Sequence, residues 1–230
     1  MSSSSRAAAA AGPPENPWFD WGYVRDNSGD ILAALQQHVT LTLQTVLLAS
    51  VLAVPLALVA RRWRRLEAPI VGLAGVLYTI PSLALFAVLA PFTGIAAHTV
   101  LIGLVVYALL VLVRNTIAGL DGVPEEVRDA ARGMGYDARR MFWRVELPIA
   151  LPTIMTGVRI ATVSTVALVT VGVVVGYGGL GTLILRGFNN GFYRAEIMTA
   201  SLLCVLLALG LDLVLAAATR ALTPWARGRA

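Results

Sequence analysis

Apolar residues in this chain come in long unbroken runs, separated by short clusters of arginine. Residues 38–60 carry no Asp, Glu, Lys or Arg, and the run ends at Arg61. A helix of about 20 apolar residues crosses the hydrocarbon of a bilayer, so this run is the first predicted span. Residues 68–113 form a second run, 46 residues long and free of Asp, Glu, Lys and Arg. That is too long for one crossing and suits two. Pro91, Phe92, Thr93 and Gly94 have turn chemistry, which puts spans two and three at residues 68–90 and 97–113. Residues 151–175 form the fourth span, with Arg159 inside it, and residues 197–218 the fifth, with Asp212 inside it. The pattern predicts an all-α integral membrane protein with five transmembrane helices and its termini on opposite sides.

Composition agrees: 57% of the residues are hydrophobic and 13% charged, against about 25% charged in an ordinary soluble domain. The net charge is +5 and all 18 basic residues are arginine. Their distribution sets the orientation. Thirteen arginines fall on one side: Arg61, Arg62, Arg64 and Arg65 after span one, six between residues 114 and 150, and Arg220, Arg227 and Arg229 in the tail. Only four, Arg6, Arg25, Arg186 and Arg194, fall on the other. Because cytoplasmic loops carry the excess of positive charge, the N-terminus is expected outside and the C-terminal tail, residues 223–230, in the cytoplasm. The same scatter over three segments argues against a nucleic-acid surface. The single Cys204 excludes a disulfide within the chain and a paired-cysteine metal site, and suits inert packing. Residues 7–11 form too short an apolar run for a secretory signal core of about 7–15 residues. Residues 1–30 are therefore expected to be an uncleaved flexible segment, with residues 18–30 at the membrane interface. The membrane-spanning body would be residues 31–222.

Residues 114–150 are the one long polar segment. Asp121 and Pro124 suit the start of a short helix, with Glu125 and Glu126 at its positive end, and Gly133 and Gly135 suit its end. Val127, Ala130, Ala131 and Met134 recur at the spacing of one helix face. Asp137 suits the cap of a second helix, and Pro148 and Pro152 a break before the chain re-enters the membrane. Such a hairpin either lies on its own spans or presents a knob to a cytoplasmic partner.

The sequence Asp129-Ala130-Ala131, three residues, Gly135, nine residues, then Val145-Glu146-Leu147-Pro148 resembles the EAA loop of ABC importer permeases. Asp129 stands where that pattern has Glu, and Val145 where it has Ile. The runs YTIPSLALFAVLAPFTGI (residues 78–95), YALLVLVRNTIAGLDGVPEEVRDAARGMG (107–135), VELPIALPTIMTGVRIATV (145–163) and GYGGLG (176–181) resemble the osmoprotectant branch of these permeases. That branch imports glycine betaine, carnitine, choline or proline-type solutes. The resemblance implies a type I importer permease that binds no ATP itself. ATP and Mg would belong to a partner ATPase docked on the loop, consistent with a chain that has no lysine and no phosphate loop. Val127, Ala130, Ala131, Met134 and Gly135 would supply the buried contact, Glu125, Glu126, Asp129 and Arg132 its polar rim, and Leu147 and Pro148 the end of the motif. Gly135→Asp is expected to uncouple transport by forcing a bulky charge into the turn. Further implied partners are an extracytoplasmic substrate-binding protein and a second permease subunit, the same or a related chain, in the cell membrane.

No substrate-contact residue is assigned. Tyr78, Phe86, Phe92, Tyr107 and Tyr177 are spread over several spans and suit core or interface positions better than an aromatic cage. Arg159 and Asp212 lie at equal depth, roughly 12 Å from the inner span ends at 1.5 Å per residue. They suit a mutual ion pair, with Arg159 reaching for headgroups and direct solute contact as the other readings. His38 and His98 suit interface packing over proton coupling. Pro55 and Pro81 suit kinks, with a hinge as the other reading. Competing classes are a permease for another small solute such as an amino acid, an ion channel and an intramembrane enzyme. The EAA spacing counts against the second, and the lack of clustered His, Glu, Asp or Cys in the spans against the third.

Overall fold

The computed structural model describes residues 16–225. The N-terminal tail with Arg6, and Arg227 and Arg229 at the other end, lie outside the described residues, within which all regular structure is helical. Helix α1 (Trp21–Asp26) starts where Asp20 accepts a hydrogen bond from the Gly22 amide. Helix α2 (Ser28–Arg62) begins ten residues before the expected span and keeps Pro55 inside one continuous helix. Its 35 residues reach about 52 Å at 1.5 Å per residue, more than a hydrocarbon core needs.

The second span is not one straight helix. Helices α3 (Arg64–Thr79) and α4 (Ser82–Thr93) meet at an angle of 96°. Pro81 drives the residue before it out of helical conformation, and Ile80 is indeed extended, at φ −66° and ψ 127°. The Tyr107 hydroxyl donates to the carbonyl of Ile80 and so occupies an acceptor the break exposes. Pro91 does not begin the following turn, because α4 runs through it to Thr93. Residues 94–96 make the turn, held by Thr99, which donates to Gly94 O at 2.6 Å, and His98, which donates to Thr93 O at 2.7 Å.

Helix α5 (Ala97–Asp121) is the central strut and runs eight residues past the expected span end. Ala49, Ala53, Ala57 and Ala60 recur every three or four residues along α2 and pack against Val105, Ala108, Leu112 and Ile117 of α5. Small residues at this spacing let helix backbones approach closely, which holds helices together in lipid where the hydrophobic effect between them is weak. Helix α6 (Glu125–Gly133) follows, then a helical run from Ala138 to Val175 made of α7 (Ala138–Met141), a π-turn at Phe142–Glu146, α8 (Leu147–Val169) and a 3₁₀ turn at Thr170–Val175. The expected break at Pro148 is absent. The Leu147 amide bonds to Phe142 O, five residues back, and this widened turn admits the proline ring without stopping the helix.

The GYGGLG segment reverses the chain into α9 (Leu180–Asn189), and α10 (Arg194–Leu222) completes the fold. Helix α9 packs on α2 and α10 around Tyr23, Ile31, Leu180, Leu183, Ala195 and Ala200, with half-buried Cys204 beside them. His38 packs inside the helices: it is fully buried, donates from Nε2 to Val166 O at 3.0 Å and accepts the Leu180 amide at Nδ1 at 3.2 Å. Among the described residues, four helices are long and apolar enough to cross a membrane: α2, α5, the Ala138–Val175 run and α10. The bent α3–α4 pair would make a fifth.

Candidate functional site

Helix α6 sits between the ends of α5 and α7 and is short because its sequence bounds it on both sides. Pro124 precedes its first turn, Glu125 and Glu126 face the helix dipole there, and Gly135 takes φ +77° just past its end. Asp121 does not cap it. That residue closes α5, and its carboxylate receives Arg64 at 3.0 Å and lies 3.7 Å from Arg61. Asp137 does cap α7, accepting the Arg140 amide at 2.7 Å.

Of the apolar face read from the sequence, Val127, Ala130 and Met134 are exposed, Met134 at 67%. Ala131 turns inward and is 1% exposed. The charged residues form a chain of pairs on the opposite flank. Arg132 donates to Asp129 at 2.6 Å and to Glu125 at 2.9 Å, while Glu126 is exposed. The two guanidinium groups of Arg128 and Arg132 hold the Glu125 carboxyl below the usual carboxylate range. Leu147 and Pro148 are half-buried at the start of α8.

The residue that anchors this loop is one the sequence motif passes over. Glu146 is 8% exposed. Arg61, at the end of α2, grips it with two hydrogen bonds of 2.8 and 2.6 Å, and Arg128 of α6 adds a third at 3.0 Å. Arg128 also donates to Leu120 O on α5 at 2.7 Å. One carboxylate thereby joins the ends of α2 and α5, the start of α8 and the loop helix. A lone acid between Val145 and Leu147, at the edge of an apolar run, is the sequence signal that marks it. A cleft of about 800 Å³ opens beside the clamp, lined by Leu58, Arg62, Tyr136 and Phe142 among others.

The structure brings Arg159 and Asp212 together across α8 and α10. Nε and Nη2 of Arg159 each donate to one carboxylate oxygen at 2.8 Å. At the other end, Arg186 of α9 joins Glu196, buried at the start of α10, to Asp30 of α2. Among the described residues no three His, Cys, Asp or Glu side chains cluster in a way that would hold a metal ion. Tyr78 and Tyr107 meet edge to face with centroids 5.8 Å apart, and Phe86 is fully buried in the core.

Residues 46–228 match the family described as the inner membrane component of binding-protein-dependent transport systems. The chain is 38% identical to the osmoprotectant import permease protein OsmW of Salmonella typhimurium, with 88% of this chain and 96% of that one covered. It is 35% identical to the glycine betaine/carnitine/choline transport system permease protein OpuCD of Bacillus subtilis, covering 88% of each. Its identity to the choline transport system permease protein OpuBB of the same organism is 34%, over 88% of this chain and 93% of the other. In fold it resembles a chain of the MetNI methionine ABC transporter in an inward-facing conformation, with TM-score 0.76, 22% identity, and 84% and 96% of the two chains covered. A chain of an amino acid ABC transporter solved with histidines gives TM-score 0.73 at 15% identity, with 87% and 98% covered.

Proposed function

This chain belongs to the inner membrane components of binding-protein-dependent transport systems, and we propose that it carries osmoprotectants of the glycine betaine, carnitine and choline type. It is a multi-pass membrane protein of an ABC importer, a transport subunit and not an enzyme. Importers of this family work in general with an ATPase and a substrate-binding protein. The observation that carries the solute class is the 34–38% identity, along nearly nine-tenths of the chain, to permeases named for these solutes. The likeness to methionine and amino acid transporters, at 22% and 15% identity, concerns the fold alone.

In this reading the chain crosses the membrane five times, the bent α3–α4 pair counting as one crossing. The N-terminus is outside and α6 in the cytoplasm, as the arginine distribution supports. Two permease subunits enclose the pathway. A cytoplasmic ATPase supplies ATP and Mg and grips α6 through the exposed Val127, Ala130 and Met134, while Glu125, Glu126, Asp129 and Arg132 rim the contact. An extracytoplasmic binding protein delivers the solute. The test is uptake of labelled glycine betaine, carnitine and choline by cells that lack their own compatible-solute importers and express this permease with its ATPase and binding protein. Uptake of at least one is expected; uptake of an amino acid and of none of the three would overturn the reading.

Gly135 offers a test of the coupling loop. A Cβ there would meet nothing within 4 Å, so the crowding expected for Gly135→Asp does not begin at that atom. The constraint is the left-handed φ of +77°, which a β-branched residue takes at a cost of about 1–3 kcal/mol. Gly135→Val is expected to leave the protein in the membrane and cut both ATPase copurification and uptake. Gly135→Asp should do so less, because Asp tolerates this conformation better. Equal uptake by wild type and the valine variant would refute the role given to this turn.

A further inference from the structure

Helices α8 and α10 hold an ion pair that is satisfied but not enclosed. The side chains of Arg159 and Asp212 are 37% and 29% exposed. Asp212 lies ten residues from Leu222, the nearer end of α10, about 15 Å into the helix at 1.5 Å per residue. An exposed ion pair at that depth does not face lipid: intramembrane charges turn to a water-filled cavity or a bundle interior. The surface around the pair is concave. A cavity of about 500 Å³ opens there, lined by Thr156, Ile160, Val163 and Ser164 as well as the pair. That size is within the range of small-molecule sites.

The hydrogen bonding leaves this site a second function. Arg159 spends Nε and Nη2 on Asp212, so the Nη1 amino group stands outside the pair. A guanidinium has five N–H donors in a planar fork, and its free edge accepts a second carboxylate. Asp212 keeps negative charge beside it that attracts a cation. The wall thus offers a donor edge, a carboxylate and apolar surface for methyl groups within one cavity.

From this geometry we infer that the Arg159–Asp212 pair is a solute subsite of the pathway, taking the carboxylate of a small zwitterion on Arg159 and its quaternary ammonium head beside Asp212. The inference rests on the solute class proposed above and adds the residues that read it. Glycine betaine and carnitine carry both charges, whereas choline carries the cation and no carboxylate. The two halves of the pair therefore have opposite effects on selectivity.

The test uses the whole transporter, permease with its ATPase and binding protein, in proteoliposomes, with glycine betaine and choline each at saturating concentration. The measured quantity is the ratio of the two uptake rates within one preparation, which is independent of how much permease assembled. Because the binding protein is unchanged, any shift in the ratio comes from the permease. Arg159→Gln is expected to lower the betaine-to-choline ratio about tenfold, by removing the carboxylate partner, and Asp212→Asn to raise it. Opposite shifts support the subsite. A purely structural pair would slow both solutes alike and leave the ratio unchanged, and that result, or no effect on either, overturns it. A wild-type transporter that imports neither solute overturns the solute class and this subsite with it, whereas an active wild type with unshifted ratios overturns the subsite alone.

Discussion

Replacing Glu146 by alanine is expected to reduce solute import to under about a tenth of wild type while the protein still reaches the membrane. The substitution takes the shared carboxylate from Arg61 and Arg128, whose side chains are only 21% and 14% exposed, leaving Arg61 with Asp121 at 3.7 Å and Arg128 with Glu125 and Leu120 O. Removing one partner of a buried pair costs about 3–5 kcal/mol where the remaining charge is left uncompensated, and the remaining acidic neighbours lower the cost here. That cost falls on the loop more than on the spans. The bundle is held by the alanine ladder of α2 against α5 and by the packing of α5 on α8, none of which involves Glu146. Helix α6 is nine residues long, too short to hold its place without tertiary contacts. Without Glu146, Arg128 keeps its bond to Leu120 O on α5, but α6 loses its tie to α2 and the start of α8, so part of a push from the ATPase would be absorbed in the loop. Glu146→Gln keeps the shape and one acceptor oxygen and should retain more import than the alanine variant. The decisive comparison is uptake normalised to permease abundance, with ATPase turnover measured beside it. Full normalised import by Glu146→Ala would show that the clamp is dispensable.

What the sequence reveals and what it conceals divide along a physical line. The apolar runs locate every long helix, because a helix in lipid must satisfy its own backbone and hide no charge. Where local rules fail, the deciding partner is remote in sequence. Pro81 announces a kink, yet the 96° angle coexists with a hydroxyl from Tyr107 that caps the opened carbonyl of Ile80, 27 residues before it. Pro148 announces a break, yet the π-turn before it keeps the helix continuous. Counting arginines treats them as interchangeable markers of orientation. In the structure Arg61, Arg64 and Arg128 hold Glu146 and Asp121, and the clamp spans 85 residues between Arg61 and Glu146. The equal depth of Arg159 and Asp212 was readable because helix rise is regular. That their pair opens onto a cavity depends on how α8 and α10 cross, which no periodicity encodes.

Gly181→Ala, the addition of one methyl group, is expected to remove most of the folded protein. A Cβ at this position would lie 2.6 Å from the Cα of Thr170, closer than real side chains come, with the Thr170 carbonyl also in its way. Both obstacles are main chain and cannot rotate aside. Helix α9 would have to withdraw from the end of α8, but two bonds hold its first turn to α2. The Gly179 amide donates to Gln37 Oε1 at 2.9 Å and the Leu180 amide to His38 Nδ1 at 3.2 Å. Withdrawal would leave His38 fully buried with one nitrogen unpaired, a cost of about 1–3 kcal/mol, and would lift Leu180 and Leu183 from their cluster. Overpacking in place costs a similar amount, so neither route is cheap. Gly210→Ala is the matched control, the same methyl group on α10 with nothing within 4 Å of it. It should accumulate at least as well as wild type, since alanine favours the helix by about 1 kcal/mol over glycine. Size-exclusion profiles of the solubilised, fluorescently tagged proteins compare the two directly. A monodisperse peak of equal height for both variants would mean that the Gly181 contact yields without loss.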